Sequence, residues 1–411
     1  MTTEVKFDPQ QARQQRGLVI AATCKLAKKN DFWVVPSSTG QGRYYVRPDK
    51  ASCTCPDHQE EDHKCKHLYA VEIVIQRELF SDGSVSETKS LTVTAMPRKT
   101  YPQKWKEYNA AQVNEKDHFQ SLLRDLCKGL AQPEPATKKR GRPTIPLEDS
   151  IFAAVFKVYS TVSGRRFMSD LRDSQEKGFI KNVPHYNQLF KVLESPAATP
   201  ILHALIKATS APLKAVEKNF AVDSSGFSAS RFDRWYDHKY GGEKSRRSWI
   251  KCHLMCGVKT NIVSAVEISD SGDSPQLPGL LATTRQTFKV AEVCADMAYS
   301  SQDNYCTIEG ADAAALIPFK SNTTGGIGGT FAKAFHYFNL HREEFMERYH
   351  QRSNIESTFS MVKAKFGDSV RSKTDVAMRN EVLAKIVCHN VCCLISAMYE
   401  LGITPEFAQA V

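Results

Sequence analysis

A chain of 411 residues that is 41% hydrophobic and 24% charged has material for a full enzyme core and two or three domains, and its composition argues against extensive disorder. A formal net charge of +10 favours polyanionic partners. Twelve cysteines without the spacing of a disulfide framework are expected to be reduced. The opening Met1-Thr2-Thr3-Glu4-Val5-Lys6 lacks the apolar core of a secretory signal, so the protein is expected in the cytosol.

The first region, residues 1–80, carries two strand-like stretches, Phe32-Trp33-Val34-Val35 and Tyr44-Tyr45-Val46, then a knot of Cys and His. Cys53-Thr54-Cys55 and Cys65-Lys66-His67 stand nine residues apart and have the ligand types and closed four-ligand count of a structural Zn²⁺ site. His58 and His63 lie inside the loop as alternative ligands. A helix over 66–79 follows, with Leu68, Val71, Ile75 and Leu79 at helical spacing. The pattern resembles the SWIM-type zinc finger. Whether such a finger meets DNA or protein does not follow from its ligands.

Residues 81–146 read as a basic linker. Between Arg98 and Arg142 there are eleven Lys or Arg against five Asp or Glu, and Phe119, Leu122, Leu123 and Leu126 mark a short amphipathic helix. Lys138-Lys139-Arg140-Gly141-Arg142-Pro143 has the Arg-Gly-Arg-Pro core of an AT-hook, in which Arg140 and Arg142 would enter a narrow minor groove. It reads equally as a plain solvated basic run.

From residue 147 the pattern changes to helices, the first over 151–159 and two more reaching about 216, a region read as binding DNA ends. Strands and helices then alternate. Strands are expected over 220–223, 249–257, 262–268, 289–296 and 313–319, the second and third joined by the hairpin turn Val258-Lys259-Thr260-Asn261. Asp223 and Asp296 each end a strand in this α/β pattern, where side chains project into the crevice above a sheet. Either aspartate alone also fits a turn or cap. Between them, Arg231-Phe232-Asp233-Arg234-Trp235-Tyr236 opens a basic and aromatic loop that runs on to Arg246 and Arg247, the candidate DNA contacts within it. The alternative is a surface loop with its aromatics tucked on the core. The apolar stretch over 386–399, only 14 residues with His389 and Asn390 inside it, is expected as a buried helix and not a membrane span.

The segment from Tyr349 to Lys363 carries most chemical information. At about 100° per residue, Arg352, Glu356 and Lys363 fall roughly 300°, 340° and 320° from Tyr349, within one narrow helical stripe. Ile355, Phe359, Val362 and Phe366 form an adjacent apolar stripe that can dock the helix. With Glu356, the two aspartates make three carboxylates on rigid elements. Such a set can hold two Mg²⁺ or Mn²⁺ ions for phosphoryl transfer, with Tyr349, Arg352 and Lys363 as the candidate DNA-phosphate contacts.

At these residues the chain resembles a DDE transposase of bacterial insertion sequences. The likeness lies in Ala221-Val222-Asp223-Ser224-Ser225-Gly226, in Ala295-Asp296-Met297-Ala298-Tyr299, and in Tyr349-x2-Arg352-x3-Glu356-x6-Lys363, whose spacing equals the Tyr-Arg-Glu-Lys signature of one large group. The resemblance covers roughly residues 147–400. It implies an α/β fold with a ribonuclease H-like catalytic domain, a mixed five-stranded sheet with helices, over 219–411. Ahead of it come a helical region at 147–218, the linker and the finger. It further implies a catalytic triad of Asp223, Asp296 and Glu356, Mg²⁺, strand cleavage and strand transfer at the ends of the element, double-stranded end and target DNA as partners, a homo-oligomer on paired ends, and a bacterial or archaeal cytosol or nucleoid. A catalytically silent DNA-binding regulator and a nuclease without strand transfer are the rival readings. Separations of 73 and 60 residues leave no room for the large β-rich insertion that some members carry before the glutamate, so hairpin formation at cut ends stays open.

Overall fold

The computed structural model describes residues 9–37, 42–61, 63–79, 104–128, 130, 144–229, 249–320 and 322–407. It divides into two compact units, residues 1–101 and 102–411. The loop with Arg246 and Arg247 and the segment with Arg140 and Arg142 lie outside the described residues.

In the smaller unit, strands β1 (Ala27–Lys29), β2 (Phe32–Pro36), β3 (Arg43–Arg47) and β4 (Ser52–Cys53) form an antiparallel meander in the order β1-β2-β3-β4. Trp33, Val35 and Val46 alternate onto one face and are buried with Leu68 and Val71 of helix Lys66–Leu79 and Ile20 of helix Pro9–Thr23. The expected helix over 66–79 coincides with the observed one.

In the larger unit, helices Trp105–Val113 and Glu115–Cys127 lie within the stretch read as linker. Phe119, Leu122, Leu123 and Leu126 of the second are all buried in the main core. Four further helices, from Leu147–Ser160 to Ala198–Ser210, precede a five-stranded sheet. Its strands are β5 (Asn219–Ser228), β6 (Trp249–Gly257), β7 (Val263–Ile268), β8 (Glu292–Ala295) and β9 (Ala314–Leu316), in the order β7-β6-β5-β8-β9. β5, β6 and β7 are antiparallel neighbours, whereas β8 and β9 run parallel to β5. This mixed sheet with flanking helices is a ribonuclease H-like α/β fold.

The central strand is longer than its sequence suggests. Ser224-Ser225-Gly226 looks turn-like, yet β5 runs on to Ser228 because each residue finds a partner on β6, out to Ser228↔Trp249. Gly226 lets the Trp249 ring lie close over the strand: a Cβ would stand 3.0 Å from it, so the ring would have to give way. Asp223 is therefore in mid-strand rather than at a strand end, opposite Leu254. Asp296 lies one residue beyond β8.

The apolar segment expected over 386–399 belongs to a longer helix, Asp375–Leu401, of 27 residues. Thr374 caps its start by accepting from the Ala377 amide at 3.3 Å, and Gly402 ends it at φ 67°. By length and composition alone it could cross a membrane, but 78% of its most apolar window is buried inside the fold. Its Asn390 accepts from the Val263 amide at 2.9 Å and donates to the Val263 carbonyl at 2.8 Å, pairing the edge strand β7 as a neighbouring strand would. At the same, turn end of this strand pair, buried Glu217 accepts from the Thr260 amide at 2.6 Å, the Thr260 hydroxyl at 2.7 Å and the Lys259 amide at 3.1 Å, fixing the β6–β7 turn. Glu217→Ala would remove the acceptor of all three bonds from the turn, and urea unfolding should show a loss of about 2 kcal/mol. A loss below about 1 kcal/mol would show that water replaces the carboxylate.

Candidate active site

Alternation along β5 divides its side chains between two environments. Asp223, Ser225 and Phe227 point towards the helix Ser353–Phe366, which carries Glu356 and Lys363. That helix is seated by Ile355, Phe359, Val362 and Phe366, all buried as their spacing predicts. Burying four such side chains contributes about 1.5–3 kcal/mol each, enough to hold the polar stripe in a fixed position. Gly367 closes the helix at φ 88°, and the buried Lys385 ammonium donates to the Gly367 and Ser369 carbonyls, each at 2.8 Å.

The signature is not one continuous α-helix. Tyr349 ends helix Arg342–Tyr349, a 3₁₀ turn spans His350–Arg352, and the α-helix resumes at Ser353. Tertiary ties at this junction accompany the break. Arg348 donates to Glu292 on β8 at 3.0 and 2.6 Å, and the Asn219 amide reaches both Glu292 at 2.8 Å and Gln351 at 3.3 Å.

Arg352 stands between two of the carboxylates. Its guanidinium lies 3.4 Å from Asp223 Oδ2 and 2.5 Å from Glu356 Oε1, and 6.0 Å from the Tyr349 ring. Lys363 donates to Ser225 Oγ at 2.6 Å, two residues along β5 from Asp223, and lies over the Phe227 ring at 5.4 Å. Burial pushes its ammonium pKa below the ordinary lysine value. Asp296 accepts from the Ala298 amide at 2.8 Å and so caps the short turn Met297–Tyr299. β8 pairs with β5 up to Val222↔Ala295, which brings the next residues, Asp223 and Asp296, to the same end of adjacent parallel strands.

Burial raises the Asp223 carboxyl pKa above the ordinary range; the Ser224 amide and Arg352 lower it, and the charges of Asp296 and Asp273 add to the rise. Asp223 thus sits in a concentration of negative charge that, among the described residues, Arg352 offsets directly by an ion pair. Among the described residues, the three carboxylates do not close around a common point as the finger ligands do. Their oxygens are nevertheless the hard donors that Mg²⁺ and Mn²⁺ take.

Asp273 was not marked by the sequence. It lies on the opposite side of β5, where Ser224 Oγ donates to its Oδ1 at 2.7 Å and Lys251 Nζ stands at 2.9 Å. Burial raises its pKa, but these donors outweigh burial and hold the carboxyl below its usual range. Buried His253 has Nδ1 3.4 Å from the same oxygen and Nε2 on the Ser269 carbonyl at 3.2 Å. The available signal was an aspartate in a Ser/Gly turn just after an apolar strand and two residues before Pro275. Also unmarked is a groove of about 790 Å³ that begins at Met297, next to Asp296, and includes Lys320, Phe335, Phe338 and Arg342.

In the finger, Cys53, Cys55, Cys65 and His67 are all buried, and their ligand atoms lie within 4.8 Å of one another. His67 Nδ1 is 3.9 Å from both Cys53 Sγ and Cys65 Sγ. Tetrahedral zinc, with bonds of about 2.3 Å to sulfur and 2.0 Å to nitrogen, asks for ligand separations of roughly 3.6 Å, so the set fits the ion. A hydrogen bond from Cys53 lowers the Cys65 thiol pKa, while the same bond raises that of Cys53 and burial raises that of Cys55, so without an ion the cluster favours one thiolate, on Cys65. His58 turns Nδ1 to the His63 carbonyl at 2.7 Å, and neither histidine joins the ligand set.

Fold and site together define a ribonuclease H-like α/β module that follows, in the chain, a small module with a Cys3His cluster. Residues 215–391 match the family model of the transposase DDE domain and residues 32–76 that of the SWIM zinc finger, so this chain carries a transposase DDE domain preceded by a SWIM zinc finger. Among solved structures, a piggyBac transposase synaptic complex with hairpin DNA is similar at 11% identity, covering 77% of this chain and 79% of that chain with a TM-score of 0.35. No curated protein matches.

The charge pattern at Asp223 has a measurable consequence. Its raised carboxyl pKa means that ionisation costs folding stability above that pKa, and the cost disappears below the ordinary value of 3.8, where folded and unfolded chains are both protonated. Asp223→Asn should therefore raise the thermal midpoint of the metal-free protein at pH 7, and the gain should fade as pH falls through the raised pKa. A midpoint several degrees lower at pH 7 would mean that the Arg352 pair outweighs the repulsion.

Proposed function

We propose that the protein is a DNA transposase that cleaves DNA at the ends of an insertion sequence and joins them to a target, with Asp223, Asp296 and Glu356 as its catalytic carboxylates. The single observation that carries this reading is the meeting of β5 and the signature helix, where Arg352 bridges Asp223 and Glu356 beside Lys363 on Ser225. It is supported by the DDE domain match over 215–391. The three carboxylates would hold Mg²⁺ or Mn²⁺, which supplies Lewis-acid activation of the attacking hydroxyl or water and charge relief at the leaving oxygen.

The chain's own residues then have separable roles. Arg352 neutralises Asp223 and Glu356 in the ground state; released from them, its planar fork can take a DNA phosphate through two hydrogen bonds. Lys363, anchored to Ser225 and half-buried, offers a point charge to a neighbouring phosphate. Tyr349, behind Arg352, limits the directions in which the guanidinium can swing. The groove next to Asp296, with Lys320 and Arg342 among aromatic rings, gives a course for the DNA strand beyond the scissile bond. Arg140 and Arg142, together with Arg246 and Arg247, add positive charge in segments flanking the helical region and β6. The helical region at 147–218 would bind the DNA ends, and a homo-oligomer would pair two of them. The finger would be held by Zn²⁺ on Cys53, Cys55, Cys65 and His67. An intracellular setting at the nucleoid follows from a DNA substrate.

The test is nicking of DNA bearing the inverted repeats that flank the coding region. With Mg²⁺ the wild type should cut at the repeat ends, and Asp223→Ala should reduce the rate on the order of a thousandfold, the equivalent of about 4 kcal/mol. Lys363→Ala should weaken end binding about tenfold with its thermal midpoint unchanged. Equal cutting by wild type and Asp223→Ala would remove the enzyme reading in favour of a silent regulator. Cutting without joined products would reduce it to a nuclease.

A further inference from the structure

The finger sheet has two faces, and the ligand chemistry concerns only one. Trp33, Val35 and Val46 pack inward, and Tyr44 points the same way, its ring 4.7 Å from His67. The other face is set by the register Ala27↔Val34↔Tyr45, Lys29↔Phe32 and Pro36↔Arg43. Strand alternation therefore puts Lys29, Phe32, Val34, Arg43, Tyr45 and Arg47 side by side on one outer surface. Lys29, Arg43 and Arg47 are exposed, Tyr45 retains 50% of its accessible surface, and Phe32 and Val34 are partly open. Phe32 and Tyr45 touch edge to face with centroids 5.3 Å apart. None of the three cations has an ion-pair partner among the described residues. Among the described residues no carboxylate lies on this face; Asp31 and Asp49 stand in turns at its rim, beside Arg47 and Lys50.

We infer that this outer sheet face binds single-stranded polynucleotide, with Phe32 and Tyr45 against the bases and Lys29, Arg43 and Arg47 on the phosphates. Charge complementarity selects a polyanion, and the exposed aromatic pair selects one whose bases are unstacked. Rings on a flat sheet cannot reach bases that remain stacked inside a duplex. An acidic protein segment would use the cations but would leave the aromatic pair without a specific role. The inference does not rest on the catalytic reading, because every residue in it belongs to the finger.

The full-length protein can be tested with a labelled oligothymidylate in fluorescence anisotropy. F32A/Y45A should weaken binding about tenfold or more, from the loss of base stacking. K29S/R43S/R47S should lower the slope of log affinity against log salt by about 2, since each phosphate contact with a single strand contributes about 0.7. A bromodeoxyuridine oligonucleotide irradiated with wild-type protein should form adducts at Phe32 or Tyr45, a readout that needs no variant to fold. Adducts confined to residues 102–411, or unchanged affinity and slope in both variants, would overturn the inference. So would equal losses on duplex and single strand, or binding of polyglutamate in place of the oligonucleotide.

Discussion

Negative charge gathered around one strand is the constraint on which the site depends. Asp223 in the middle of β5 feels Asp296 from just past β8 and Asp273 from the turn after β7, and its partial burial limits the solvent that would screen them. The fold answers with one cation on each side of the strand, Arg352 towards the signature helix and Lys251 towards Asp273. A protein selected only for stability would not crowd carboxylates in this way. On the proposed reading, divalent ions would supply the compensating charge and leave the arginine for a phosphate.

Holding that charge in place requires rigid supports, and these come from apolar packing around the strand. β5 is buried through Phe220, Ala221 and Val222, and the signature helix is fixed by its four apolar side chains. The long helix Asp375–Leu401 secures both neighbours. Asn390 completes the free edge of β7, and Lys385 holds the carbonyls just past the signature helix. Polar groups buried in this helix thus act on the backbone of the sheet's β7 edge and of the turn that follows the Glu356 helix.

Much of this was legible in the sequence because the relevant signals are local. Cys53-x-Cys55 and Cys65-x-His67 specify their own ligand set, and helix Lys66–Leu79 follows from the spacing of Leu68, Val71 and Ile75. The apolar stripe from Ile355 to Phe366 likewise predicts which face of its helix is buried. What escaped depends on partners far along the chain. β5 extends past Ser224-Ser225-Gly226 because β6 pairs with it out to Ser228, with the Trp249 ring lying over Gly226. The break at His350–Arg352 goes with ties to β5 and β8, and no proline or glycine announces it. Asp273 gains meaning only when the sheet brings Ser224, Lys251 and His253 to it.

The most direct measurement is anomalous X-ray scattering from Mn²⁺ in crystals of the protein bound to end DNA. The account predicts manganese held by the carboxylates of Asp223, Asp296 and Glu356, with the Arg352 guanidinium turned from Asp223 to a DNA phosphate. Manganese bound away from these three side chains, with Arg352 still joining Asp223 to Glu356 in the DNA complex, would contradict it.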